Sequence, residues 1–413
     1  MALTSTTQAA PKHHPSSTSP IRPTTTNMEV RIMTDFTSFT SPASPPNSAI
    51  PPNSAIPPNS ANFTIDTLLD FGRANNCSDL HITAAQPPTF RRLGELSPGP
   101  FVGTRDDYRM IILSMLNEQQ REQLQMGQDL DFSLEGAGGL RYRVNVYRQQ
   151  TELAAAIRLL SNTIPTLESL HLPPVIREFS EQPRGIVLVT GPTGSGKSTT
   201  LAAMIDYINT HRRAHIITIE DPIEYVHRSK NCLVHQREVH RDVTSFEAAL
   251  RSAMREDPDV ILVGEMRDYE TISAAVTAAE TGHLVFSTLH TTGAAQTIDR
   301  IVDVYPSHSQ GMIRSQLSGV LRGVITQTLV PLADASGRTV ATEILVGTDA
   351  VLNLIREGKF HQLGSTMQSS AQVGMHTLAG DLANLIRQGL ITRETAENAV
   401  DDKTELAQYL GVW

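Results

Sequence analysis

Apolar residues in the central part of the chain alternate between short continuous runs and longer stretches with helical spacing. The continuous runs have the length and composition of strands covered on both faces, and they lie at 186–190, 216–219, 260–263 and 284–288. After the first run, Leu201, Met204, Ile205 and Ile208 recur at the spacing of one helix face. Strands that alternate with helices are typical of a parallel sheet flanked by helices. We therefore predict an α/β fold for residues 184–350.

The segments on either side of this region have different patterns. Residues 63–180 predict a small α+β domain, with helices at 65–71 and 108–124, strands at 79–82, 89–93 and 151–160, and a hairpin formed by 131–134 and 141–147. Residues 351–413 predict a helical tail, in which helices occupy 350–357, 377–388 and 393–410.

Local signals predict helix ends in the central region. Thr244 and Glu247 have the spacing of a capping box that opens a helix, and Asp257 before Pro258 is expected to end it. Gly282 is expected to cap a helix over 270–281.

Residues 1–62 are rich in Pro, Ser and Thr and contain a hexapeptide repeat. Pro-Pro-Asn-Ser-Ala-Ile begins at Pro45 and again at Pro51, and a third copy beginning at Pro57 ends in Asn62. This composition cannot bury a hydrophobic core, so we predict a disordered extension. A docking segment for a partner is the alternative interpretation.

Composition narrows the class of protein. The net charge is −9, and no segment is dense in Lys or Arg, which argues against a nucleic-acid-binding protein. The apolar runs are far shorter than the ~18 residues of a membrane-spanning helix, and the N-terminus lacks the pattern of a secretory signal. The two cysteines, Cys77 and Cys232, supply neither a disulfide framework nor a four-cysteine zinc site. We predict a cytosolic protein.

A phosphate-binding loop lies between the first predicted buried strand and the helix after it. The segment Gly191 to Ser198 has the pattern G-x-x-x-x-G-K-S. The glycines allow successive amide N–H groups to turn toward phosphates, Lys197 is expected to reach the β- and γ-phosphates of ATP, and the Ser198 hydroxyl to reach Mg²⁺. The nucleotide-binding set is Gly191, Pro192, Thr193, Gly194, Ser195, Gly196, Lys197, Ser198 and Thr199. The alternative is a glycine-rich turn without a ligand.

Acidic residues follow two of the other predicted strands. Glu265 comes after the strand at 260–263, where parallel strands present side chains to the γ-phosphate, and it is our candidate for activating the attacking water. An aspartate usually precedes this glutamate, but Gly264 stands here, so another acid must help to hold Mg²⁺. The alternative role for Glu265 is to cap a turn.

The second acidic segment contains Glu220, Asp221 and Glu224 just after the strand at 216–219. Carboxylates beside a buried strand are costly unless they meet cations. We predict that Glu220 and Glu224 contact Mg²⁺, partly through water, and that Asp221 shapes the turn before Pro222. An acidic turn without a metal is the alternative.

Two histidines flank the last predicted strand. His283 precedes the strand at 284–288 and His290 follows it, and either could hydrogen-bond to the γ-phosphate. The alternative for each is a structural histidine.

Five segments together resemble the motifs of the secretion-ATPase superfamily: the phosphate loop, Ile219 to Glu224, Gln236 to Val239, Arg255 to Asp268, and Ala279 to His290. That superfamily calls its motifs Walker A, Asp box, Walker B and His box. The residues of these motifs are similar to those of the PilT-type retraction ATPases of type IV pili, in which Walker B normally ends in Gly-Glu. The resemblance extends over about residues 63–395.

The resemblance implies the rest of the architecture. It implies a PAS-like domain over 63–180, a RecA-like ATPase domain over 184–350 and a homohexameric ring, with the nucleotide between the two domains. Arginines of the first domain would reach the phosphates, and the matching positions are Arg143 and Arg158. Arg237 and Arg241 are further candidates for neutralising charge. The implied partners are an inner-membrane pilus platform protein and other pilus components, met at the cytoplasmic face of the inner membrane. The protein would be peripheral to the membrane, through these partners.

One position departs from the family pattern. The motif Ala-Ile-Arg-Asn-Leu-Ile-Arg-Glu of the retraction ATPases reads Ala350-Val-Leu-Asn-Leu-Ile-Arg-Glu357 here, so Leu352 replaces the first arginine.

The resemblance implies a hexameric motor that hydrolyses ATP to power type IV pilus retraction, and four other functions are the alternatives. Pilus-assembly and type II secretion ATPases carry a longer folded N-terminal region and a four-cysteine metal element, whereas only Cys232 lies at the corresponding place here. An accessory, PilU-like retraction ATPase has the same architecture. A nucleic-acid motor would need a basic stripe, and a scaffold that only binds nucleotide would not need Glu265.

Overall fold

The computed structural model describes residues 63–84, 86–92, 94–160 and 163–411. The predicted extension over 1–62, with its hexapeptide repeats, lies outside these residues. Within the described part of the chain, no helix is long and apolar enough to cross a membrane.

The first folded region is built on a six-stranded antiparallel sheet, the N-terminal sheet, with strand order β3-β2-β1-β6-β5-β4. Its strands are β1 (Asp79–Thr83), β2 (Gln86–Arg92), β3 (Glu95–Pro98), β4 (Leu130–Glu135), β5 (Arg141–Gln149) and β6 (Glu152–Leu159). The predicted hairpin is formed by β4 and β5, joined through a 3₁₀ turn at Ala137–Gly139. Side chains of this sheet share a core with Phe63, Phe71 and Tyr108, so the region has its own hydrophobic centre.

Three helices accompany this sheet: α1 (Ile65–Ala74), α2 (Arg105–Ser114) and α3 (Glu118–Gln125). The single helix predicted over 108–124 is wrong, because the chain leaves the helix after Ser114 and a new one begins at Glu118. Asn117 caps the new helix, accepting a hydrogen bond from the Gln120 amide while the Gln120 side chain accepts one from the Asn117 amide. This capping box competes successfully with continuation of the first helix.

The second region is built on a seven-stranded sheet, the central sheet, with order β13-β12-β7-β11-β10-β8-β9. Its strands are β7 (Gly185–Thr190), β8 (His215–Glu220), β9 (Leu233–Glu238), β10 (Val260–Val263), β11 (Leu284–Leu289), β12 (Leu321–Pro331) and β13 (Arg338–Val346). All neighbours are parallel except β12 and β13. The four predicted strands are confirmed as β7, β8, β10 and β11, and the α/β fold class with them.

Both faces of the central sheet are covered, as the continuous apolar runs predict. Ile186 and Leu188 of β7 pack in one hydrophobic cluster, while Val187 and Val189 pack in another. The covering helices are α4 (Val175–Glu181), α5 (Lys197–His211), α6 (Phe246–Ala253), α7 (Tyr269–Glu280), α8 (Ala294–Asp303) and α9 (Gln310–Val320). The turn before α9 contains a 3₁₀ segment at Ser307–Ser309.

Two predicted helix ends in this region need correction. The side chain of Ser245, and not that of Thr244, caps α6 by accepting a hydrogen bond from the Ala248 amide. The same helix ends at Ala253, four residues before Asp257. The predicted cap at Gly282 is confirmed, because Gly282 follows α7 with φ +112°, its amide donates to the Ala279 carbonyl oxygen, and the His283 amide donates to that of Ala278.

The C-terminal part is helical, as predicted, with α10 (Asp349–Glu357), α11 (Leu363–Ser369), α12 (Leu378–Arg387), α13 (Arg393–Ala399) and α14 (Lys403–Leu410), and 3₁₀ turns at Phe360–Gln362 and Ala371–Val373. The continuous helix predicted over 393–410 is wrong, because Asp402 caps a new helix by accepting from the amides of Thr404 and Glu405. Leu382 and Leu406 of the tail share a core with Val330 and Ala341 of the central sheet. Leu352, the departure from the family motif, is partly buried against the central core.

Candidate functional site

The phosphate loop joins the carboxyl end of β7 to the first turn of α5. Gly191 has φ +135°, and a Cβ there would lie 2.3 Å from the Gln327 carbonyl oxygen, so the position admits only glycine. Gly194 and Gly196 also have positive φ, and Gly196 immediately precedes the helix. The free amides of this helix start face the loop, which is the arrangement that binds phosphate in proteins.

Lys197 is folded back on the loop. Its ammonium donates hydrogen bonds to the carbonyl oxygens of Gly191 at 2.8 Å and Pro192 at 3.0 Å. Burial lowers the pKa of Lys197, and the charges of Glu265 and Glu224 oppose this shift. These two acids therefore lie close enough to the lysine to act on its charge, which places the ends of β8 and β10 beside the loop.

The other loop residues differ in how far they are exposed. Pro192, Thr193, Gly194 and Ser198 are exposed and open to a ligand. Ser195 is buried, and its hydroxyl has no hydrogen-bond partner within the described chain. Thr199 shares a hydrogen bond of 3.0 Å with the Tyr225 hydroxyl. Tyr225 is a residue that sequence reasoning did not assign to the site.

Glu265 lies at the same sheet edge and is contacted by the side chains of Arg267 and His290. Its Oε1 accepts a hydrogen bond from Arg267 Nε at 2.5 Å and lies 3.1 Å from His290 Nε2. The structure thus brings together the predicted acid Glu265 and the predicted histidine His290, from neighbouring parallel strands. Sequence reasoning missed Arg267, although it stands only two positions from Glu265 in the printed motif.

Glu220 ends β8 and is held by a polar network. Its Oε1 accepts hydrogen bonds from the Thr218 hydroxyl at 2.6 Å and from Gln236 Nε2 at 3.0 Å. Although part of the side chain reaches solvent, desolvation outweighs these donors and raises the pKa of Glu220 to about 7. The carboxyl is therefore close to half-protonated at neutral pH, and a nearby cation would favour its charged form. Neither Thr218 nor Gln236 was assigned from sequence.

Gln236 also orders the acidic loop, which we define as residues 220–224, and the chain that follows it. Its Nε2 donates to the Tyr225 carbonyl at 2.8 Å, and its Oε1 accepts from the His227 amide at 2.7 Å. Glu224 is partly exposed, and its backbone amide donates to Glu220. Asp221 is exposed at the turn before Pro222, in agreement with its predicted place.

The four candidate arginines do not contact the phosphate loop in this chain. Arg143 pairs with Asp131 at 2.8 Å and Arg158 with Asp79 at 3.1 Å, and the two arginines stand opposite each other on β5 and β6. The charges of Glu224 and Asp221 contribute to the raised pKa of Arg143, after its hydrogen bond to Asp131. Arg143 therefore lies within electrostatic range of the acidic loop.

The remaining two arginines differ from each other. Arg237 pairs with Glu256 at 2.8 Å, so its charge is directed at the segment after α6. Arg241 lines a cavity of about 820 Å³, together with Arg143 and with residues of both sheets.

His283 must be removed from the predicted phosphate site of this chain. It precedes β11, whereas the phosphate loop follows β7, and the two strands run parallel, so the residue lies at the opposite edge of the sheet. At about 3.3 Å per residue, the strand separates it from His290 by roughly 20 Å. Its Nδ1 lies 2.8 Å from the Ala278 carbonyl oxygen, which is a structural contact at the end of α7.

Comparisons with known proteins agree with this arrangement. The family model described as "Type II/IV secretion system protein" matches residues 140–394. The type IV pilus retractation ATPase PilT of Pseudomonas aeruginosa is 51% identical over 335 residues, which is 80% of this chain and 96% of that protein. A twitching motility protein of Neisseria gonorrhoeae is 52% identical over 297 residues, 72% of this chain and 79% of that protein.

A solved structure of similar fold carries a nucleotide. The crystal structure of the pilus retraction motor PilT with bound ADP superposes with a TM-score of 0.78 at 45% identity, and covers 84% of this chain and 100% of that one. The family match, the similar fold and the geometry of the phosphate loop therefore support the same assignment. The chain belongs to the type II/IV secretion system protein family and is an ATPase of the PilT type.

Proposed function

We propose that the protein hydrolyses ATP with Mg²⁺ and that this reaction powers retraction of a type IV pilus. The observation that carries the proposal is that the phosphate loop, Glu265 and His290 all follow neighbouring parallel strands at the carboxyl edge of the central sheet, in a chain half identical to a retraction ATPase. Lys197 and the loop amides supply positive charge for the phosphates, and the carboxylate of Glu265 supplies a proton acceptor for water.

In the proposed reaction Lys197, Glu265 and His290 act on different groups. ATP would draw Lys197 from the Gly191 and Pro192 carbonyl oxygens to its own phosphate oxygens, which are stronger acceptors because they are charged. Glu265 would orient the attacking water and take its proton. His290, which already contacts Glu265, would hydrogen-bond to the γ-phosphate or hold the carboxylate in place.

The residues around the loop fit a magnesium ion. Mg²⁺ prefers oxygen ligands and keeps several waters, and the Ser198 hydroxyl with the carboxylates of Glu220 and Glu224 offers such oxygens. The metal would neutralise charge between the β- and γ-phosphates. Binding of the ion would favour the charged form of the Glu220 carboxyl, whose pKa is otherwise raised by desolvation.

We propose a homohexameric ring, with a PAS-like domain at 63–180, a RecA-like domain at 184–350 and a C-terminal helical region at 351–413. In the ring, Arg143 and Arg158 would reach the phosphates and Arg241 would add charge. The protein would work at the cytoplasmic face of the inner membrane, bound to the pilus platform protein and without nucleic acid. The net charge of −9 supports the last point.

Deletion of the gene, scored for surface pili and twitching, tests the direction of the motor. Cells that are hyperpiliated and non-motile support retraction, whereas bald cells would show that the protein drives pilus assembly. Cells that change only when a second retraction ATPase is removed would indicate the accessory, PilU-like role.

Complementation with Glu265→Gln connects the phenotype to the site. The variant is expected to bind ATP while its turnover in a phosphate-release assay falls by about 100-fold or more. A variant with turnover near wild type would show that Glu265 is not the catalytic acid. Glu270→Gln, on the exposed side of α7, is the matched control.

A further inference from the structure

A buried ion pair joins the N-terminal sheet to the central sheet. Arg141 Nη2, on β5, lies 2.6 Å from Oε2 of Glu238, on β9. The Ser133 hydroxyl of β4 donates to Oε1 of the same carboxylate at 2.6 Å. Arg141 is 8% exposed and Glu238 is 5% exposed, so both charges are removed from water.

Such a pair is stable only while each charge keeps its partner. While the sheets stay together, each buried charge has a partner; when they separate, water must enter to solvate both, since an unpaired buried charge is strongly destabilising. Arg141 Nε has no hydrogen-bond partner within the described residues, so the charge of this guanidinium depends on Glu238. The contact is therefore sensitive to small changes in the separation of the sheets.

The same carboxylate also reaches the acidic loop. Glu238 Oε2 accepts a hydrogen bond from the backbone amide of Ile223, at 3.3 Å, and Ile223 lies between Glu220 and Glu224. Two positions earlier on β9, Gln236 binds Glu220. Residues two apart on a strand point to the same side, so one face of β9 holds both the acidic loop and the N-terminal sheet.

We infer that Arg141 and Glu238 are positioning residues that couple the placement of the N-terminal sheet to the acidic loop. Neither residue contacts the phosphate loop. When the pair is made, Glu238 is fixed and holds Ile223; when it breaks, the loop that carries Glu220 and Glu224 loses that support. The inference rests on the proposed function, because it assigns the two glutamates to Mg²⁺.

Two measurements on the full chain test the inference. The first is the distance between spin labels at the exposed positions Asp66 on α1 and Asp299 on α8, with Cys77 and Cys232 replaced by alanine. In Arg141→Ala the distance distribution is expected to broaden, and in Arg141→Lys to return toward the parent. Arg105→Ala removes the exposed pair with Glu152, within the N-terminal sheet region alone, and should leave the distribution unchanged.

The second measurement is the Mg²⁺ concentration that gives half-maximal ATP hydrolysis. Arg141→Ala and Glu238→Gln are expected to raise it about tenfold, the usual effect of removing a residue behind metal ligands. Loss of folded protein alone would lower the maximal rate without moving this concentration, and circular dichroism melts measure that loss directly. Arg105→Ala again serves as the control.

The outcomes separate the two proposals. If Arg141→Ala keeps either the parent distance distribution or the parent Mg²⁺ dependence, the coupling is overturned while ATP hydrolysis stands. If the wild-type chain shows no hydrolysis, the proposed function fails, and Mg²⁺ binding followed by Mn²⁺ relaxation replaces the second measurement. An equal effect of Arg105→Ala would also overturn the inference.

Discussion

Replacing Glu220 by glutamine is expected to change how the stability of the protein depends on pH. Desolvation raises the pKa of this carboxyl from 4.5 to about 7 in the folded chain. Between these values the folded state holds one more proton than the unfolded state, so the free energy of unfolding falls as the pH rises. The stabilising effect of the neutral carboxyl is complete below the unfolded pKa and is lost as the pH passes through about 7.

The size of the effect follows from the width of that interval. One pKa unit corresponds to about 1.4 kcal/mol, so the wild type should lose about 2 kcal/mol between about pH 5.5 and the folded pKa. Glutamine has the same shape but does not ionise, and its Oε1 can accept the hydrogen bonds of Thr218 and Gln236. The variant should therefore gain about 2 kcal/mol relative to wild type over this pH range.

Urea unfolding followed by circular dichroism, without nucleotide or Mg²⁺, measures this difference at about pH 5.5 and about pH 8.5. Other groups titrate in this range, but their contributions cancel when variant and wild type are subtracted. Glu122→Gln, an exposed carboxyl on α3, is the control and should show no such difference. If the free energy of unfolding of the wild type minus that of the variant is the same at both pH values, the reasoning is refuted.

Three further outcomes are expected. Lys197→Ala should abolish binding of a fluorescent ATP analogue, because the only side-chain ammonium on the loop is lost; retained affinity would contradict the predicted site. Gly191→Ala should lower the free energy of unfolding by more than about 1 kcal/mol, since φ is positive and the Gln327 carbonyl blocks the Cβ; unchanged urea midpoints would count against this geometry. Deleting residues 1–62 should leave the rate of ATP hydrolysis within about twofold of wild type if the extension buries no core, and a larger loss would make it part of the enzyme.

The parts of the fold that the sequence predicts are those in which local pattern and tertiary context agree. β7 and β10 are continuous apolar runs that only a doubly covered sheet can bury, so their identity follows from composition. The prediction of one helix over 108–124 is wrong because apolar residues such as Met115 and Leu116 continue the helical periodicity past the observed end. The new helix start is set by local hydrogen bonds of the Asn117 cap, which the apolar periodicity does not show. The break between α13 and α14 has the same cause.

The residues of the site likewise include some that the sequence predicts and others that only the folded chain reveals. Glu265 and His290 could be placed from sequence because both follow strands, and parallel strands end at one edge. The same rule, applied to the amino ends, would have excluded His283. Arg267, by contrast, is held to Glu265 by its side-chain conformation, which no spacing encodes. Arg141 and Glu238 are 97 positions apart, so only the folded chain brings them together.

β9 is one of the two edge strands of the central sheet, and among the strands that the structure describes it pairs with β8 alone. Its register sets Gln236 against Thr218 and Glu238 against Glu220. A single residue inserted within β9 would turn both side chains to the opposite face. An insertion in the segment that connects β8 to β9 leaves that alternation intact. Length variation within β9 should therefore remove both the Glu220 contact of Gln236 and the Arg141 pair of Glu238, whereas variation before the strand would disturb the acidic loop instead.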